Sequence, residues 1–357
     1  MNHNNNSSNS NSAVKNLTVL WAFSEGFLGG ILNAVKIPFK GLLLGNISVT
    51  IIIFIAAFSK QTSDILKAGI ITTTVKAVIS PYYSLPAYVA VFFQTVTGAL
   101  LFISKKFMML SGVMLGVITS VLSSVQRIVV LTLLFGNAFW ETVDKFAAYV
   151  YNEFSGNKEL PLNFKFSHWL IGAYILIHAI VGFIVGLYAT RLAKKIISEN
   201  EDRQIFLDEF SKKISDEEIE STRMTSKNRN KFFKTSRIIL YIFLITSLIL
   251  SYVLKDNSGS NYFNSKSLWI MLLRSVIIMV LWFKVFAPLL GKLLRSKLMK
   301  SKNKYSSEIH YTLNALPLVK KLSVFTWNKA DGKGITKLSN FVSLMIPAIL
   351  KVNFESK

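Results

Sequence analysis

The 357-residue chain contains no cysteine. Disulfides, zinc–thiolate sites and iron–sulfur clusters are thereby excluded. Acid is also scarce: 19 Asp and Glu stand against 41 Lys and Arg, a formal charge of +22. An intramembrane enzyme needs paired acid and base groups or a metal cluster. At membrane depth the chain offers no HExxH, no paired aspartates and no Ser/His dyad at helical spacing, so we expect no enzyme, no catalytic residues, no metal site and no cofactor. No GxxxxGK[ST] marks a nucleotide-binding domain. No recognisable motif turns the positive charge toward nucleic acid. The first stretch, MNHNNNSSNSNSAVK, has no basic segment leading into an apolar core. It reads as a disordered Asn/Ser tail over 1–16 and not as a signal peptide.

What is present is apolar. Hydrophobic residues make up 51% and charged residues only 17%, with mean hydropathy +0.43. Soluble domains rarely combine these values, and several windows exceed the roughly 18 apolar residues that cross a bilayer. The composition predicts an all-α, multi-pass membrane protein. Helices are expected at 17–36, 40–59, 64–80, 85–104, 107–136 and 167–191, a six-helix bundle over 17–191. A charged cytoplasmic linker follows at 192–234. A two-helix membrane hairpin comes at 235–290, with spans at 236–254 and 267–290. Residues 291–357 are basic cytoplasmic or membrane-surface helices. Their last apolar run, FVSLMIPAIL at 341–350, is too short to span and should lie on the membrane or pack against other helices.

Basic residues set the orientation. Lys60 and Lys67, Lys105 and Lys106, Arg191, Lys194 and Lys195, and the cluster from Lys292 to Lys304 fall on one side if the N-terminus is cytoplasmic. Both termini are then expected in the cytoplasm, with the protein in the cytoplasmic (inner) membrane. That basic side faces anionic lipid.

The first predicted span contains AFSEGFLGGILNAVK, residues 22–36. Ala22, Gly26, Gly30 and Ala34 recur every four residues and form a narrow stripe where another helix can approach. Ordinary packing within the chain would use the same stripe. Glu25, Gly29, Asn33 and Lys36 form a second stripe, roughly 100° around the axis. Glu25 would pair with a basic group across the bundle, or carry a proton or sodium ion. By topology Lys36, Lys76 and Arg127 converge on the outer half, with Asn33 beside them, Gln94 nearer mid-depth and no carboxylate at their level. Arg127 shares its helical side with Ser120, Ser123 and Ser124. These groups suggest an outward pocket for a small anionic or strongly hydrogen-bonding solute, with Tyr82, Tyr83 and Tyr88 stacking on it or capping it. The plainer alternatives are snorkelling lysines and an interfacial aromatic belt. His178, a lone mid-membrane histidine, is expected to make an interhelical hydrogen bond. Gly112, Gly116, Gly182 and Gly186 extend the small-residue pattern to later helices.

The six helices, the small stripe and the polar outer half resemble the substrate-binding (S) components of energy-coupling factor transporters. The stretches LWAFSEGFLGGILNAVKIPF and VKAVISPYYSLPAYVAVFFQ also look like a group of uncharacterised Bacteroidetes-type membrane proteins. The energy-coupling resemblance implies that Ala22, Gly26, Gly30 and Ala34 dock a coupling subunit. It implies a vitamin-like ligand under the KIPFKG loop and a separate ABC-type ATPase. Typical S components end after six helices, whereas this chain continues. Arg295, in the basic segment, could imitate the Arg motif of a coupling helix. A different expectation is a membrane scaffold or assembly factor, with 192–234 and 291–357 binding partners or anionic lipid.

Overall fold

The computed structural model describes residues 3–35, 39–59, 61–79, 85–155, 165–198, 304–352 and 354, with Trp269, Leu272, Leu273, Ser275 and Val276. Among the described residues the fold is all-helical, without a strand. The helices are α1 (His3–Phe23), a π-helical turn (Ser24–Leu28), α2 (Gly29–Ala34), α3 (Lys40–Phe58), α4 (Ser63–Ile79), α5 (Leu85–Leu101), α6 (Met108–Phe135), α7 (Asn137–Ser155), α8 (Phe166–Ser198), α9 (Ser306–Lys329) and α10 (Gly334–Lys351). Three of them, α3, α6 and α8, are long and apolar enough to cross a membrane. The expected spans at 236–254 and 267–290, and the linker at 192–234 beyond residue 198, lie outside the described residues apart from the isolated positions named. The described residues thus carry three such helices and, in Ala87–Leu101, a shorter apolar one.

The chain divides into two compact units. The first comprises residues 1–129, 170–212 and 282–357. Its centre is α3, whose run from Ile51 to Ala56 is buried on every face. A helix that is apolar all round needs neighbours all round, and α3 packs on α1, α4 and α5. On its α6 side, a Cβ built on Gly112 would lie 3.3 Å from the Ile53 side chain. Gly116 of α6 and Gly182 of α8 meet so closely that a Cβ on either would fall on the other's backbone carbonyl. Without side chains between them, the two backbones gain van der Waals contact that lipid does not offer.

In the first unit one expectation is corrected and one pair of alternatives is decided. The Asn/Ser tract, read as a disordered tail over 1–16, is helical from His3, and Ala13 and Asn16 are buried. Packing on the C-terminal helices supplies the burial that the tract's composition lacks. Asn16 Nδ2 donates to the carbonyls of Ile349 (2.9 Å) and Val352 (2.8 Å), and its Oδ1 accepts from the Tyr311 hydroxyl at 2.7 Å. One side chain thus satisfies carbonyls at the end of α10, which no intrahelical N–H can reach. The apolar run 341–350 takes the packed alternative: Met345 to Ile349 are buried in α10, which packs on α1 and α9.

The second unit comprises 130–169 and 213–281. Residues 137–166, between the expected helices 107–136 and 167–191, contain the 19-residue helix α7. The turn into it passes through Gly136 at φ 72°, and the Trp140 indole donates to Thr132 Oγ1 at 2.9 Å. Asp144 accepts from the Ser167 amide (2.6 Å) and hydroxyl (2.9 Å). A carboxylate there complements the positive end of α8.

Candidate functional site

Two polar constellations stand out in the first unit. The first is an enclosed ion pair. Lys76 Nζ lies 2.6 Å from Glu25 Oε2, with side-chain exposures of 2% and 4%. Ser48 donates to the other carboxylate oxygen at 2.7 Å, and the Trp21 indole donates to Ser48 Oγ at 3.0 Å. The Tyr88 ring lies 5.8 Å from the ammonium, and the Ala87 carbonyl accepts from it at 3.5 Å. A charge in a low-dielectric interior must be both paired and hydrogen-bonded, and here both partners are. The carboxylate sits in the π-helical turn, where one extra residue re-aims the side chains.

This pair corrects the expectation that Lys76 has no carboxylate at its depth. Its ammonium pairs with Glu25 and is closed off from solvent. Glu25 has the cross-bundle basic partner that the sequence suggested. The same turn breaks the small stripe. Ala22 packs with Ile71, Val75 and Ile309 of α4 and α9. Gly26 faces Ile79, 3.3 Å from where its Cβ would be. A Cβ on Gly30 would meet nothing within 4 Å. Two of the four expected docking positions are therefore covered by the chain's own helices. The side chain of Ala34 lies outside the description, as does that of Asn33.

The second constellation gathers at the start of α3. Phe39 caps this helix with a left-handed backbone, φ 61°, an uncommon conformation for a bulky residue. Its carbonyl accepts from the Leu42 and Leu43 amides at 2.9 and 3.2 Å. The Phe39 ring lies 6.2 Å from Tyr174 and 6.3 Å from His178 of α8, whose own rings are 4.3 Å apart. His178 is 1% exposed. Its Nδ1 meets the Tyr174 carbonyl at 2.8 Å, so its hydrogen bond is within α8 and not interhelical as expected. Arg127 of α6 is exposed, and its charge acts on both Lys40 and Tyr174. A Cβ on Gly41 would lie 2.9 Å from Ser123 Oγ, so α3 and α6 approach closely here. Further along the same helices, Ser120 donates to Asn46 Oδ1 at 3.3 Å. Gln94 of α5 lies beside Gly45, 6% exposed, with its Oε1 buried and without a partner.

Of the residues predicted for the solute site, Arg127 falls in this cluster and Gln94 in the polar column behind it. Lys36, Tyr82, Tyr83 and Arg295 lie outside the described residues. The sequence reading missed Lys40, Phe39 and Tyr174. Lys40 lies in the KIPFKG motif and is the first residue of α3, as the expected helix 40–59 has it. Among the described residues no group of three His, Asp or Glu is placed to hold a metal.

A third feature is a cavity of about 190 Å³ between α1, α4 and α9. Its wall carries Lys15, Asp64, Lys67 and Glu308. Lys67 pairs with Glu308 at 2.6 Å, and Asp64 accepts from Ser59 at 2.6 Å. The wall charges are thus largely answered within the protein.

No family model, curated protein or solved structure matches this chain.

Proposed function

We propose that this chain is a membrane protein that binds a small anionic solute near the outer ends of α3, α6 and α8, as the solute-binding part of a transport system. The observation that carries the reading is that the Arg127 charge reaches both Lys40 and Tyr174. Like charges within reach of one another repel, and an anion among them offsets that repulsion. Arg127 would supply fixed, forked donors and Lys40 a point charge. Phe39 and Tyr174 provide aromatic surface beside them. Asn46, Ser120 and Gln94 continue the polar lining, and the unmet Gln94 carbonyl offers a hydrogen-bond acceptor. The bonds from Asn16 to Ile349 and Val352 support placing both chain ends on one side of the membrane.

An ATP-driven cycle would draw on a separate ABC-type ATPase. A coupling subunit of the kind used in energy-coupling factor transporters would reach this chain at Gly30, the stripe position with open space. The covering of Ala22 by α9 supports a variant of that arrangement in which the chain's own C-terminal helices occupy part of the docking face.

The test is a binding screen of the nanodisc-reconstituted protein with small carboxylates and phosphate esters against their neutral amide or alcohol counterparts. Anions should raise the unfolding temperature and neutral counterparts should not. Arg127→Ala should remove the effect, and Arg127→Lys should retain only part of it. Equal responses to anions and neutral analogues would end the reading.

A further inference from the structure

The turn between α9 and α10 combines features that do not belong in water. From Lys320 to Leu338 the chain carries five lysines and one acid, Asp331. Among them large apolar side chains stand open: Ile335 is 86% exposed, Val324 55%, Leu338 52% and Trp327 43%. The lysines lie along these rings, with Lys337 Nζ 5.1 Å over Trp327 and Lys329 5.9 Å over Phe325. Stems that lie on apolar surface while their heads reach outward are how lysine behaves at a bilayer interface.

The tip is also held in shape. Gly332 and Gly334 take φ of 100° and 56°, Asn340 Nδ2 donates to the Asp331 carbonyl at 2.9 Å, and Trp327 meets Phe341 edge-on at 5.4 Å. Its position relative to α8 is fixed by the Tyr188 hydroxyl, which bonds Ser339 at the carbonyl (3.2 Å) and at Oγ (2.9 Å). Tyr188 lies within the apolar span Phe166–Ile197, and exposed Arg191 and Lys194 follow it by one to two turns.

We infer that the α9–α10 tip is a membrane-surface anchor that inserts Trp327, Ile335 and Leu338 among lipids and selects anionic head groups with Lys329, Lys333 and Lys337. Charge decides the occupant: a surface with this lysine excess is repelled by basic partners and attracted by an anionic leaflet. The bond to Tyr188 brings it to a helix that itself crosses the bilayer. The inference depends on the membrane reading of α8 but not on the solute site.

The absence of cysteine makes the test clean. Ile335→Cys, labelled with an environment-sensitive fluorophore, is placed in nanodiscs of phosphatidylcholine alone or mixed equally with phosphatidylglycerol. Quenching by acrylamide, a neutral molecule that surface charge does not repel, reports burial of the label. The anionic bilayer should reduce quenching by about threefold or more. High salt, and the Lys329→Gln/Lys333→Gln/Lys337→Gln variant, should each abolish the difference. Equal quenching in both bilayers, or a difference that survives loss of the three lysines, would overturn the anchor. A chain that fails to enter nanodiscs would overturn the membrane reading with it.

Discussion

Glu25 and Lys76 meet at 2.6 Å across 51 residues of chain, each side chain almost entirely shielded from solvent. Removing one partner strands the other charge. Glu25→Gln and Lys76→Met should each cost about 3–5 kcal/mol, and the double variant should recover most of that loss. Thermal unfolding of all three in nanodiscs decides it. Additive losses in the double variant would mean that the two groups act independently.

The glycine contacts predict a contrast. Gly116→Ala drives a methyl group into the Gly182 carbonyl and should cost about 1–3 kcal/mol. Gly30→Ala meets open space and should stay within about 0.5 kcal/mol. The same unfolding assay compares them.

Asn16→Ala removes the bonds from Asn16 to the Ile349 and Val352 carbonyls and the one from the Tyr311 hydroxyl. The expected loss is about 1–3 kcal/mol, together with faster amide exchange over 345–352. Unchanged exchange in that segment would show that Asn16 does not hold α10.

Acid should loosen the contact between α4 and α9. Burial alone pushes the Glu308 carboxyl up, but hydrogen bonds from Lys67, its own backbone N–H and Ser307, with the Lys67 charge, outweigh this and hold it below its ordinary 4.5. A carboxyl depressed on folding stabilises the fold above its unfolded value and loses that contribution as pH falls through the folded one. Amide exchange at the start of α9 should therefore rise as pH drops below 4.5, after correction for intrinsic rates, and Glu308→Gln should flatten the rise. A profile that Glu308→Gln leaves unchanged would assign it to another group.

Much of the helical layout was legible locally. Apolar runs located α3, α6 and α8 to within a few residues at most of their ends, because helix length and apolarity are properties of contiguous sequence. Gly112, Gly116, Gly182 and Gly186 were legible as small-residue positions, and the structure sets Gly116 against Gly182. The site was less legible. An ideal 100° step placed Ala22, Gly26, Gly30 and Ala34 on one stripe, and the π-helical turn at Ser24–Leu28 breaks that register. Lys76 looked unpaired because its carboxylate lies on another helix, at a depth misjudged by a turn or two.

Contiguous sequence carried the helical class, the absence of thiol chemistry, the excess of lysine and the windows that can cross a bilayer. These follow from composition and from periodicities shorter than a helix. Long-range packing set the rest: Lys76 answers Glu25, the Arg127 charge reaches Lys40, and Asn16 closes the end of α10. Each depends on how helices far apart in the chain cross and rotate, and side-chain packing between them sets those angles.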